Sequence, residues 1–100
     1  MIYSVDEIKE RIQPIAKNYG VNRVFLFGSY ARGDASLESD IDLRIDCGMI
    51  PDLYDLAGFH MDLEDVFSKR VEVLTTEGLE KNFLLRIKDE ELLLYEYSGY

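Results

Sequence analysis

An α+β fold built on a small mixed β-sheet is predicted by three observations. Apolar residues recur at helical spacing from Val5 to Tyr19, Asp40 to Asp46 alternates without a break, and a helix-length amphipathic stretch separates that segment from Val71-Glu72-Val73-Leu74. A strand, a helix and a second strand form a parallel crossover. The earlier connection, Tyr30 to Ser39, is at the short limit for a crossover and suits an antiparallel return. Parallel and antiparallel pairs in one sheet make it mixed.

The bounds are set by size and charge. One hundred residues with 47% hydrophobic content hold one core, so a single domain over residues 1–100 is expected. Apolar runs such as Leu92-Leu93-Leu94-Tyr95 fall far short of the roughly 18 residues that a membrane span needs. Met1-Ile2-Tyr3-Ser4 has no signal-peptide pattern, and a cytoplasmic protein with no membrane contact is the expectation. The lone Cys47 cannot form an internal disulfide, which agrees with a reducing compartment; it reads as a small strand-end hydrophobe rather than a reactive thiol. Acids outnumber bases 20 to 11, for a net charge of -9, which disfavours direct polynucleotide binding because that affinity comes from Lys and Arg on phosphates. The charge suits a chain that binds cations or docks against a basic partner.

Ser4-Val5-Asp6-Glu7 has the form of a capping box, and Val5, Ile8, Ile12, Ile15, Ala16 and Tyr19 give the first helix its apolar face, with Gly20 as its stop. Pro14 conflicts with that helix, since it removes a backbone donor, and predicts a kink or a restart. Asn22 to Phe27 is a strand apolar on both faces at its end, and Gly28-Ser29 ends it abruptly, with one short helical turn following Ser29. In Asp40 to Asp46, Ile41, Leu43 and Ile45 face a core while Asp40, Asp42, Arg44 and Asp46 share the other side. Cys47 to Pro51 is a connection. Asp52 caps a helix through about Ser68, with Leu53, Leu56, Ala57, His60, Leu63 and Phe67 as its buried stripe. His60 reads as a satisfied or partly exposed core histidine, and zinc has no support without a second His or Cys at ligand spacing. Tyr19, Tyr30, Tyr54 and Tyr95 read as packing residues. Leu79, Phe83, Leu84 and Ile87 suggest a last helix, and Leu92 to Tyr97 a last strand, either an open edge or a covered one.

The chemistry lies in the shared face. Two carboxylates about 6 Å apart repel by roughly 3 kcal/mol at an effective dielectric of 20, and Glu72 on the neighbouring strand adds to this. Arg44 could offset the charge, but hard divalent cations fit better, and Mg²⁺ in particular binds one or two carboxylates together with substrate phosphates. Gly28 lets the backbone approach a ligand closely, and Ser29 adds a hydroxyl donor beside the free N–H groups of the turn. A phosphate-gripping turn beside a metal-binding pair is the minimum kit for phosphoryl or nucleotidyl transfer. Arg32 could clamp a triphosphate or pair with Asp34.

Gly28-Ser29, ten intervening residues and Asp40-Ile41-Asp42 resemble the signature of the DNA polymerase β-like nucleotidyltransferase superfamily. The fuller run, Gly-Ser-Tyr-Ala-Arg-Gly with Ser-Asp-Ile-Asp-Leu, is similar to its smallest branch, the minimal nucleotidyltransferases called MNT or MntA-like proteins. The similarity extends from about Val21 to Tyr97. It implies helices packed on one face of the sheet, two Mg²⁺ ions on Asp40 and Asp42, and ATP held at Gly28 and Ser29. It also places Glu72 as the third carboxylate, which helps to activate the acceptor hydroxyl. That position is more often aspartate, and the extra methylene moves the charge by about a bond length.

The resemblance further implies a partner, a HEPN-domain ribonuclease toxin, and a role as its antitoxin by transfer of AMP from ATP to a tyrosine of that toxin. Two other readings stand beside it: a binding module that neutralises the toxin by occupying it, and a nucleotidyltransferase for a small molecule such as an aminoglycoside.

Overall fold

The computed structural model describes residues 2–48 and 52–98. Met49, Ile50 and Pro51 of the connection expected over Cys47 to Pro51 lie outside the described residues.

The chain runs α1 (Val5–Tyr19), β1 (Arg23–Phe27), α2 (Ser29–Arg32), β2 (Ile41–Asp46), α3 (Leu53–Phe67), β3 (Val71–Thr75), a 3₁₀ turn (Thr76–Gly78), α4 (Lys81–Ile87) and β4 (Leu92–Glu96). The sheet order is β3-β2-β1-β4. β1 pairs antiparallel with β2 and β4, and β2 pairs parallel with β3, so the sheet is mixed as predicted.

α1 begins where its capping box requires: the Ser4 hydroxyl accepts from the Glu7 N–H and the Glu7 carboxylate from the Ser4 N–H. The restart expected at Pro14 does not occur, and the helix is continuous. Pro14 and Glu10, whose carbonyl loses its donor, are both on the exposed face, where water can substitute. Ile8, Ile12 and Ala16 form the buried face.

α1 and α3 lie on one side of the sheet. Their apolar faces join Val24, Leu26, Ile41, Leu43, Ile45 and Leu94 in one core, and Tyr3 stacks edge-on against Phe67 while its hydroxyl donates to the Phe67 carbonyl at 2.8 Å. Asp52 caps α3 through the Asp55 N–H, as expected. The buried stripe of α3 differs from the predicted one: Leu53 and Ala57 are exposed, and Phe59 is fully buried with Leu63 and Phe67. At about 100° per residue, Ala57 sits about 120° around the helix from Leu63, whereas Phe59 is only about 40° away. Tyr54, predicted to pack, is also exposed.

The last helix starts two residues beyond Leu79, after the 3₁₀ turn, and sends Phe83 edge-on against Phe27 on the side of the sheet that α1 and α3 leave free. β4 is an edge strand, and the Gln13 side chain covers part of it by donating to the Leu94 carbonyl. Among the described residues no helix is long and apolar enough to cross a membrane.

Candidate active site

The alternation of β2 sets the site. Ile41, Leu43 and Ile45 are fully buried against the helices, so Asp42, Arg44 and Asp46 stand on the opposite face. The register places Phe27 opposite Asp42 on one side and Glu72 opposite Asp42 on the other. The predicted meeting of the second aspartate with Glu72 therefore holds at the level of the backbone.

Arg44 does not neutralise this pair. It donates in a fork to Glu91, at 2.5 and 2.8 Å, and a further 2.7 Å bond goes to the Thr76 hydroxyl, while its guanidinium covers the Phe25 ring. Asp46 is engaged by Arg23 at 2.6 Å. The positive charges of this face are thus spent at its far end. Asp42 feels the consequence: burial first, then the Glu72 charge and a hydrogen bond with it, then Asp40, raise its pKa to about 6, with Arg32 acting in the opposite sense.

Asp40 lies just before β2, half-exposed, with its carboxylate 3.7 Å from Arg70. Glu72 is exposed. Among the described residues no group of three or more His, Cys, Asp or Glu side chains is arranged to hold a metal ion. The donor set still fits a hard cation, because the Asp42 and Glu72 carboxylates face each other with their charge only partly offset by Arg32, and Mg²⁺ takes much of its coordination from water and phosphate.

The Gly-Ser turn abuts the same pair. Gly28 has φ 75° and ψ −156°, and any Cβ there would run into the Asp42 carboxylate. α2 follows at once. It is held by Tyr30, which is buried and accepts from Lys69 at 2.8 Å, and it ends at Gly33, whose N–H bonds the Ser29 carbonyl. Arg32, the predicted clamp, takes up both of its neighbours: Nε lies 3.4 Å from Asp34 and Nη1 3.4 Å from Glu90. The Gly28 N–H donates to that same Glu90 oxygen at 2.6 Å.

His60 is satisfied and half-exposed, as expected, and it has a task that sequence reasoning missed. Its Nε2 donates to the Val71 carbonyl, and Glu64, one turn on, accepts from the Val71 N–H at 3.0 Å. These two side chains hold the outer edge of β3 beside Glu72, and their spacing of four on one helix was the available signal. His60→Ala is expected to lower stability by about 1 kcal/mol, read as a shift of the urea midpoint. Cys47 is half-buried, and burial followed by a hydrogen bond to Glu77 pushes its thiol up to about 11, so it stays protonated and unreactive at neutral pH.

Comparison with known proteins identifies the family and the fold. Residues 10–99 match the family described as Polymerase beta, Nucleotidyltransferase. A Methanocaldococcus jannaschii relative, provisionally named a protein adenylyltransferase, is 39% identical over 87 residues, 87% of this chain and 94% of its own. A solved structure provisionally named a minimal nucleotidyltransferase superposes with a TM-score of 0.78 at 27% identity, over 90% of this chain and 95% of the other. The MNT antitoxin complex with a tri-AMPylated Shewanella oneidensis HEPN toxin shares the fold, with a TM-score of 0.71 at 14% identity over 93% and 73% of the two chains. On these grounds the chain belongs to the polymerase β nucleotidyltransferase family, in its minimal branch.

Proposed function

We propose that this chain is the antitoxin of a HEPN/MNT pair and transfers AMP from ATP to a tyrosine of the partner HEPN toxin. The observation that carries the reading is the pairing of Asp42 with Glu72 across β2 and β3, directly under the Gly28 turn. The reading is supported by the relative named for protein adenylyl transfer and by the structural neighbour in which an MNT antitoxin accompanies an AMPylated HEPN toxin.

Asp40 and Asp42, with Glu72, would hold two Mg²⁺ ions, which when bound neutralise phosphate charge and polarise the α-phosphate. Gly28 and Ser29 bind the polyphosphate through the backbone N–H and the hydroxyl, and Arg32 orients it. The tyrosine oxygen attacks the α-phosphorus, a new O–P bond forms, the bond to the β-phosphate oxygen breaks, and pyrophosphate leaves. Glu72 takes the proton from the attacking hydroxyl. A chain of net charge -9 suits a basic, RNA-cleaving partner in the cytoplasm and does not itself need to bind RNA.

A second reading has an observation of its own. Asp40 leans toward Arg70, and among the described residues no third carboxylate joins the Asp42–Glu72 pair in a metal-holding group, as a module that acts by occupancy alone would allow. Incubating the purified chain with labelled ATP, Mg²⁺ and the co-expressed helical partner separates the two. Label on a partner tyrosine is expected. Protection of cells without any label supports occupancy, and labelling of an aminoglycoside in place of protein overturns both.

A further inference from the structure

We propose that Glu90 is an affinity-determining residue that holds the polyphosphate seat in the nucleotide-free protein and must leave for ATP to bind. The inference rests on the reading of Gly28 and Ser29 as a phosphate grip. One Glu90 oxygen accepts from the Gly28 N–H at 2.6 Å and lies 3.4 Å from Arg32 Nη1, so two of the three donors assigned to the polyphosphate are already bonded to an anion. A carboxylate oxygen and a phosphate oxygen use such donors in the same way.

The placement of Glu90 is built into the fold. The next residue, Glu91, is almost fully buried in its fork with Arg44, which fixes the segment between α4 and β4 over the sheet. Glu90 is only about one-quarter exposed, whereas Asp34, the other acid on Arg32, is mostly in solvent and touches a different nitrogen. Glu91 thus anchors the turn and Glu90 delivers the plug. A ligand that competes with a bound side chain sees its affinity reduced by the fraction of molecules in which the seat is open. A ligand with several phosphate charges is needed to displace the carboxylate, so this contact favours ATP over nucleosides.

The test is calorimetric titration of the full chain with ATP and Mg²⁺, with tripolyphosphate, and with adenosine, for wild type, Glu90→Gln and Glu90→Ala, each first checked for cooperative thermal unfolding. Both variants are expected to bind ATP and tripolyphosphate about five- to tenfold more tightly, with adenosine unchanged. Glu90→Asp, which keeps the charge but shortens the reach, is expected to fall between and serves as the test should the other two unfold. If the wild type binds ATP and the variants bind it equally or more weakly, or if adenosine gains as much as ATP, the role of Glu90 is overturned. If neither the wild type nor any variant binds ATP or tripolyphosphate, the phosphate reading of the turn falls, and this inference with it.

Discussion

Asp42→Asn is expected to abolish nucleotidyl transfer while making the protein more stable at neutral pH. The loss of activity follows from removing the carboxylate that faces Glu72 beneath the Gly28 turn, and about 10³-fold is the expected scale for deleting a group that organises transition-state charge. The gain in stability has a different origin. Burial, with the Glu72 and Asp40 charges behind it, raises the Asp42 pKa from 3.8 to about 6. Between those values the folded protein binds more protons than the unfolded chain, so stability falls as pH rises from about 4 to about 6 and stays low above. Allowing for solvent at this half-exposed group, the penalty is on the order of 1–2 kcal/mol at pH 7. An asparagine relieves it. Urea unfolding of both proteins should show the variant ahead at pH 7 and the advantage gone below pH 4. Mg²⁺ should raise the melting temperature of the wild type and not of the variant. A variant less stable than wild type at pH 7 would mean that Asp42 contributes to the fold and is not a strained site group.

Much of this site is local in sequence, and that part was legible. The alternation of Ile41, Leu43 and Ile45 fixes which way Asp42 points, because one face of β2 must be buried and side chains change face at every residue. Glu72 needed one topological step, a crossover of the length of α3 that is parallel and adjacent, and the register bears it out. Glu90 and Glu91 carried no such signal. They are two ordinary acids in the turn between α4 and β4, Glu90 lying 62 residues from Gly28 and Glu91 lying 47 from Arg44, and their contacts exist only once β4 has paired beside β1. The stripe of α3 failed for a simpler reason: Leu53 and Ala57 satisfy a loose count of apolar positions, but the helix turns them away from the sheet and brings Phe59 in. The metal-ligand assignment of Asp40, Asp42 and Glu72 came from the motif. The fold brings their backbones together, while the orientation of Asp40 toward Arg70 is a side-chain matter that no sequence pattern encodes.

Gly28→Ala separates positioning from binding, and its effect has two parts that can be measured apart. The backbone at φ 75° is a conformation that costs a residue with a side chain about 1–3 kcal/mol. A Cβ at this position would also collide with the Asp42 carboxylate, lying 3.1 Å from its Cγ and 3.3 Å from its Cβ, so Asp42 has to swing away. Transfer is therefore expected to fall by at least about 10²-fold even at saturating ATP, the scale of a displacement near 1 Å in a reacting group. Gly33 provides the comparison. Its backbone is left-handed helical (φ 88°, ψ 13°), a milder conformation for a side chain than that of Gly28 (ψ −156°), and a Cβ there meets nothing within 4 Å, so Gly33→Ala should cost less and keep most of the activity. The collision itself is isolated by repeating Gly28→Ala in an Asp42→Ala background, where the obstructing side chain is gone. The destabilisation should then shrink by about 1 kcal/mol or more, leaving the cost of the Gly28 backbone conformation. If the two costs simply add, Asp42 is not what excludes a side chain at position 28, and the close approach of turn and carboxylate on which the site depends is wrong.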